Sequence, residues 1–443
     1  MITSLIGRTF LQAYNEKYKT SYSSKQFFEE VYFELFFNHN KYLMSGGNSS
    51  FENPKISWDK MQKGIMPYES EERRRERLVK FIEKAENTMG ILDMGIAPGY
   101  PAAEITAATS GLVSDLIIEY TEDDIYYSWF GSGLGIGVAG GYSFLINDPE
   151  ILLKTFEGWS IYRKYLNDKT LENIRGNQIN TWNGQWLTFR LGKNFREEFV
   201  FRDLEQEGFF KIDDKLIEVN TVKWTNLFFS LSRNYPTQIL NSYIYSFGQT
   251  NKTIGFIPVY LSSGKKLIDV WRKLYGSDST FDSHAFQSLF GLEIKRACEL
   301  GSIGLLALRP QNLRKYFHND KSLNFKKEEE IIIYKSFKIW LIAMLSKNKE
   351  EITDYTQEIA NLLLRYRAGD SKTTRKNLID KDLLAASSKK AFLDALAVIV
   401  KDINDSDMEA IKTLRNEVHL MTNEEFTYFN TLLKFDYNYT ERN

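Results

Sequence analysis

At 443 residues the chain exceeds the ~250–300 residues at which one hydrophobic core stops growing, which predicts at least two cores. Hydrophobic residues at 43% and charged residues at 26% exclude disorder over most of the length. Lys and Arg (57) nearly cancel Asp and Glu (58), so net charge does not mark a polyanion binder and any such role rests on local patches.

A single cysteine, Cys298, excludes an internal disulfide. His39, His284, His318 and His419 lack metal-ligand spacing, so neither a metal nor a cofactor is expected. The opening MITSLIGRTFLQAYNEKY has no basic region followed by an apolar run and a cleavage site. Ile331 to Leu345 is interrupted by Lys335 and Lys338 and is shorter than the ~20 residues of a membrane span. The expectation is a cytoplasmic protein without membrane insertion.

In chain order, the first 40 residues predict helix, with Phe27, Phe28, Val31, Tyr32, Leu35 and Phe36 forming a core-facing stripe after Ser23-Ser24. Ser70 is the expected N-cap of a charged helix reaching Glu86, and the Gly- and Pro-rich stretch from Gly90 to Asp115 reads as loop. Tyr126 to Ile146, YYSWFGSGLGIGVAGGYSFLI, reads as strand, glycine loop and strand. Asn147-Asp148-Pro149 opens a helix running to about Tyr165. Between Trp182 and Tyr260 the runs WLTFRL, EEFVFRDL, GFFKIDD, KLIEVN, NLFFSLS and TIGFIPVYL predict a dense set of strands, and 265 to 275 and 284 to 300 read as helices.

Toward the C-terminus the β-type runs stop. Ile352, Tyr355, Ile359, Leu362, Leu363 and Tyr366 mark one amphipathic face, and Phe392, Leu396, Ile399 and Val400 mark another. Ser406 with Glu409 and Thr422 with Glu425 have capping-box spacing. The predicted class is α+β, with a mixed or antiparallel sheet-rich body and flanking helices over 1–325, followed by a C-terminal helical bundle over 326–443.

Gly135, Gly137 and Gly140 have G-x-G-x-x-G spacing, but the Gly-Tyr-Ser-Phe that follows is extended where a nucleotide site needs a helix start; a structural hairpin is the plainer account. Asp282 with Glu293-Ile294-Lys295 has the order of a metal-dependent nuclease, the alternative function. Helical spacing of Phe286, Leu289, Phe290, Ile294 and Ala297 opposes it, because that chemistry needs the acid and lysine on a strand. Asp213, Asp214 and Glu218 form a second acidic group without a spaced lysine, and no nucleophile elbow accompanies Cys298. No catalytic residue is assigned. Three basic clusters remain: Lys265, Lys266, Arg272 and Lys273; Arg309, Arg314 and Lys315; and Arg365, Arg367, Lys372, Arg375 and Lys376. The last falls in RYRAGDSKTTRK, read as a flexible connection whose cations would follow a phosphate backbone, against the plainer account of solvated surface charge.

A strand-rich aromatic body containing Asn251 to Tyr260, the segments ATSGLVSDL (108–116) and GNQINTWNGQWL (176–187), and a terminal helical bundle together resemble the large subunit of type I CRISPR interference (Cascade) complexes. The resemblance implies a non-catalytic nucleic-acid-binding subunit of a guide-RNA ribonucleoprotein. Its partners would be DNA, guide RNA and the other complex subunits. The body would probe the DNA motif beside the target, the bundle would lie near the displaced strand, and the guide would supply most sequence specificity. By chemistry alone, Asn180, Asn183, Gln185 and Asn251 are candidates to hydrogen-bond base edges. In related systems a helical small subunit arises from an internal start, a role Met344 could play here.

Overall fold

The computed structural model describes the chain except residues 47–48, 53–59, 62–64, 89–91, 93–94, 102–117, 214–215, 247–251, 277–286, 288–289, 291–296, 298–299, 306, 309, 311–327, 346–351, 370–371, 422 and 443. It divides into two compact units, Met1–Gly264 with Leu292–Gly304, and Lys265–Gly291 with Leu305–Asn443. The class is α+β, with a small antiparallel sheet and a helical C-terminal region.

In the first unit, α1 (Ile2–Tyr18) packs on α4 (Glu122–Gly133) through glycines. A Cβ at Gly7 would stand 2.0 Å from the Tyr127 carbonyl oxygen, and one at Gly131 would stand 1.9 Å from that of Thr3, so the two backbones touch directly. Helix α2 (24–36) starts at a Ser23–Gln26 capping box, contains a π-helical turn at Phe28–Tyr32, and presents the predicted aromatic stripe to the core. There Tyr32 stacks on Phe36 at 4.1 Å, and Phe36 meets Trp159 edge-on at 4.6 Å. Helix α3 (Glu71–Glu86) is capped by Ser70, and α5 (Pro149–Asn167) by Asp148 with proline in its first turn, both as expected.

The four-stranded sheet has the order β1 (Ile136–Val138), β2 (Tyr142–Ile146), β5 (Ile239–Ser246), β6 (Lys252–Tyr260), every neighbour antiparallel. Its inner face, with Leu240, Ser242, Ile244, Ile257 and Val259 buried, carries Phe144 stacked at 4.4 Å on Trp224 of α8 (Trp224–Asn234). A separate hairpin pairs β3 (Phe210–Asp213) with β4 (Leu216–Val219). The glycine segment forms the turn between β1 and β2, where Gly140 and Gly141 have φ of 93° and 75°.

Several expected strands are helices. Tyr126–Gly133 belongs to α4, because Thr121 and Asp124 close a capping box and the glycines serve helix packing instead of a loop. WLTFRL lies in α6 (Ile179–Arg190), whose burial around most of its circumference leaves little 3.6-residue period, and NLFFSLS lies in α8, where the alternation Phe229-Ser230-Leu231-Ser232 imitates a strand. EEFVFRDL runs into α7 (Phe201–Gln206), started by Asp203 accepting from the Val200 amide at 2.9 Å. The sheet is accordingly smaller than the strand-like runs predict.

The second unit contains most of α9 (Leu261–Tyr275), then α10 (Glu328–Leu345), α11 (Ile352–Ala368), α12 (Lys372–Asn377, continued by a π-helical turn Leu378–Leu383), α13 (Lys389–Ile399), α14 (Asp405–Leu420) and α15 (Asn423–Arg442). The predicted faces converge: Ile359, Leu363, Phe392, Leu396 and Ile399 share one core with Leu414, Phe429 and Tyr437. The unit reaches back beyond residue 326 because Trp271 and Tyr275 of α9 flank Lys335, whose Nζ lies 4.8 Å from the Tyr275 ring centre, and Trp340 donates to the Leu305 carbonyl. Asp436, 1% exposed, is held by Lys338 at 3.4 Å and by the Thr356 hydroxyl at 2.7 Å. Helix α14 has Asn404 as its N-cap, so Ser406 lies inside its first turn instead of forming the expected box; Thr422 is outside the described residues.

Candidate functional site

Lys265, Lys266, Arg272 and Lys273 all lie on α9. Leu267, Ile268 and Trp271 are at most 1% exposed and define its buried face. At ~100° per residue, the four cations fall within an arc of about 120° on the opposite side. Asp269, which the sequence reading passed over, sits in the middle of that arc. It accepts from Lys265, and its Oδ1 is 3.9 Å from Arg272. Its position four residues after Lys265 and three before Arg272 makes both contacts legible from helical spacing. Arg272 and Lys273 are exposed, while Lys266 is partly buried, and desolvation lowers its pKa. Four cations and Asp269 thus share the polar face of one helix.

The 365–376 cluster is built differently from the expected flexible loop. Arg365 and Arg367 lie in α11, and Lys372, Arg375 and Lys376 in α12. Arg365 reaches Asp407 at 2.7 Å, and Arg367 binds the Tyr437 hydroxyl at 3.1 Å together with Glu441, which pushes its pKa up. Arg375 donates to the Tyr366 carbonyl and to Asp402, both at 2.9 Å, and lies over the Tyr366 ring. Lys376 is 3.9 Å from Glu441. These arginines join the helices of their own unit, because each finds an acid on a neighbouring element.

The candidate amides are also engaged internally. Asn183 is 0% exposed; its Nδ2 donates to the carbonyls of Gly133 (2.7 Å) and Gly135 (2.9 Å), and its Oδ1 accepts from Trp159. It therefore fixes the end of α4 to the start of β1. Gln185 donates to the carbonyls of Asn220 (3.0 Å) and Gly208 (3.4 Å). Asn180 donates to Ser143 Oγ at 3.4 Å and faces Gly135, where a Cβ would lie 2.2 Å from its Nδ2. Asn183 and Gln185 are placed as backbone fasteners, their donors spent on carbonyls that would otherwise be orphaned.

Arg309, Arg314, Lys315 and Asn251 lie outside the described residues, as do Asp282, Glu293, Lys295, Cys298, His284 and His318. Glu218 pairs with Arg175 at 2.5 Å, which gives that acid a structural partner. His39 bonds the Glu34 carbonyl at 2.8 Å, and burial beside Arg163 lowers its pKa to about 4. Among the described residues, no group of three or more His, Cys, Asp or Glu is placed to hold a metal ion, and no helix is long and apolar enough to cross a membrane.

Two buried cations escaped the sequence reading. Arg163 donates to the carbonyls of Leu35 (2.7 Å) and Lys41 (2.8 Å), and Lys41 donates to those of Glu172 and Ile174. Both close the ends of local structure, and desolvation lowers the pKa of each, that of Arg163 to about 9. No protein-family model matches the chain, and comparison with curated proteins and with solved structures gave no match.

Proposed function

We propose that this chain is a non-catalytic nucleic-acid-binding subunit of a guide-RNA-directed antiviral complex, working with DNA, guide RNA and the other complex subunits. The observation that supports the reading is the polar face of α9, where Lys265, Lys266, Arg272 and Lys273 share one arc with Asp269. Such a face attracts a phosphate backbone, and releasing condensed counterions supplies the binding free energy. The exposed turn Ala139-Gly140-Gly141 between β1 and β2 adds a bare-backbone tip of the kind that can approach a groove closely. The subunit contribution would be backbone contact and motif probing, with sequence chiefly read by the guide.

The test is equilibrium binding of the full-length chain to fluorescein-labelled DNA over 50–300 mM salt, with magnesium added in a parallel series. The reading predicts affinity that falls steeply with salt, a log–log slope of about −3 for three or four neutralised phosphates, and intact DNA in the magnesium series. Salt-independent binding, or magnesium-dependent cleavage, would overturn it.

A further inference from the structure

Strand periodicity puts Ile239, Asn241 and Tyr243 of β5 on the face opposite the buried Leu240, Ser242 and Ile244, and places Phe256, Pro258 and Tyr260 of β6 beside them. The antiparallel register makes three cross-strand pairs: Ile239 with Tyr260, Asn241 with Pro258, and Tyr243 with Phe256. Phe256 is 64% exposed, Ile239 55% and Tyr260 37%, and Asn241 is exposed between them. The Phe256 ring meets that of Tyr243 with centroids 5.2 Å apart and planes at 63°, an edge contact that orients Phe256 while most of it stays in water. None of these residues is acidic or basic.

The dimensions of this aromatic face limit what it can hold. Two strands at ~4.8 Å spacing and five residues at ~3.4 Å rise give a patch on the order of 150 Å², against ~800 Å² per partner in a stable protein interface. A second copy or a folded protein needs several times that area. The β6 edge is also unsuited to an added strand. Pro258 has no N–H, Gly255 has a φ of 111° beside the register shift at Ile244/Tyr245, and the Tyr260 amide and Pro258 carbonyl are bonded to Ile303. A planar base fits, because stacking needs only the face of one ring. Phe256 and Tyr260 lie four residues, about 14 Å, apart along β6, which leaves room for bases of one strand. Asn241 stands between them with both a donor and an acceptor. Resting on the function proposed above, we infer that the exposed β5–β6 face binds unpaired bases of single-stranded nucleic acid, Phe256 and Tyr260 each stacking on a base and Asn241 hydrogen-bonding a base edge. A duplex keeps its base faces within its own stack and cannot use this face.

The experiment is fluorescence anisotropy of the full-length chain with labelled oligothymidine, oligouridine and a DNA duplex of the same length, over a series of salt concentrations. The expected result is single-strand binding about tenfold tighter than duplex binding. Phe256→Leu with Tyr260→Leu should bring single-strand affinity down to the duplex level, whereas Phe256→Trp should retain it. Both variants should keep the parent's salt slope, because stacking neutralises no phosphate, and its urea midpoint, because both side chains are exposed. A preference for the thymidine or the uridine strand supports the inference and identifies the strand as DNA or RNA. Equal binding of single strands and duplex by the parent, or single-strand affinity unchanged in the double leucine variant, would overturn the inference while leaving nucleic-acid binding in place. Absence of binding to any of the three would overturn both this inference and the reading on which it rests.

Discussion

Replacing Gly7 by alanine tests the backbone contact between α1 and α4. The added Cβ would lie 2.0 Å from the Tyr127 carbonyl oxygen, 2.7 Å from its carbon and 2.9 Å from its Cα, all inside van der Waals contact. These are main-chain atoms of a helix, so no side chain can rotate away, and the helices must separate by more than about 1 Å, disturbing a core packed as densely as a crystal. Overpacking of this kind costs about 1–3 kcal/mol or more, against a gain of at most ~1 kcal/mol from helix propensity. The expected net loss is about 2 kcal/mol, read as a lower urea midpoint by tryptophan fluorescence, to which the buried Trp129 and Trp159 contribute. Gly131→Ala, 1.9 Å from the Thr3 carbonyl oxygen, should cost a similar amount, and the double variant less than the sum, because one separation relieves both clashes. An unchanged midpoint in both single variants would refute the packing argument.

Asn183→Ala should destabilise by about 2–4 kcal/mol, because it strands the buried Gly133 and Gly135 carbonyls and the Trp159 N–H. A DNA-specificity change without loss of stability would instead make it a base reader. Lys338→Met should cost about 3–5 kcal/mol by removing a cation that holds the buried Asp436, whereas adding Asp436→Leu should recover part of the loss; equal stability of both variants would contradict this. By the same reasoning, a product started at Met344 lacks Lys338 and Trp340 and should form no cooperative bundle, checked by thermal melting of that fragment. His39 has a folded pKa of about 4, depressed below 6.5. Between those values the unfolded chain binds more protons, so stability should fall as pH drops from about 6.5 to 4. The loss should be about 1–2 kcal/mol after allowance for partial exposure, and His39→Phe should flatten the urea midpoint across that window.

What the sequence discloses depends on whether a segment keeps one face in water. The Asp148-Pro149 start, the Ser70 cap and the two amphipathic faces that carry Ile359 and Phe392 are all legible, because caps are local and a half-solvated helix shows its period. Helix α6 is hidden because burial nearly all round removes the polar half of the pattern, and α8 because Phe229-Ser230-Leu231-Ser232 alternates as a strand does. The same distinction governs the site. The α9 cations and Asp269 are fixed by spacing within one helix, whereas the engagement of Arg365, Arg367 and Arg375 depends on acids 27 to 74 residues away. Asn183 resembles a free amide until folding brings Gly133, Gly135 and Trp159 around it.

The most direct measurement for the proposed function is ultraviolet cross-linking of the full-length chain to photoreactive DNA, followed by mass mapping of the attached peptides. The account predicts adducts within Leu261–Tyr275 that are lost in Arg272→Glu, Lys273→Glu. Adducts confined to 365–376, or unaffected by those substitutions, would contradict it.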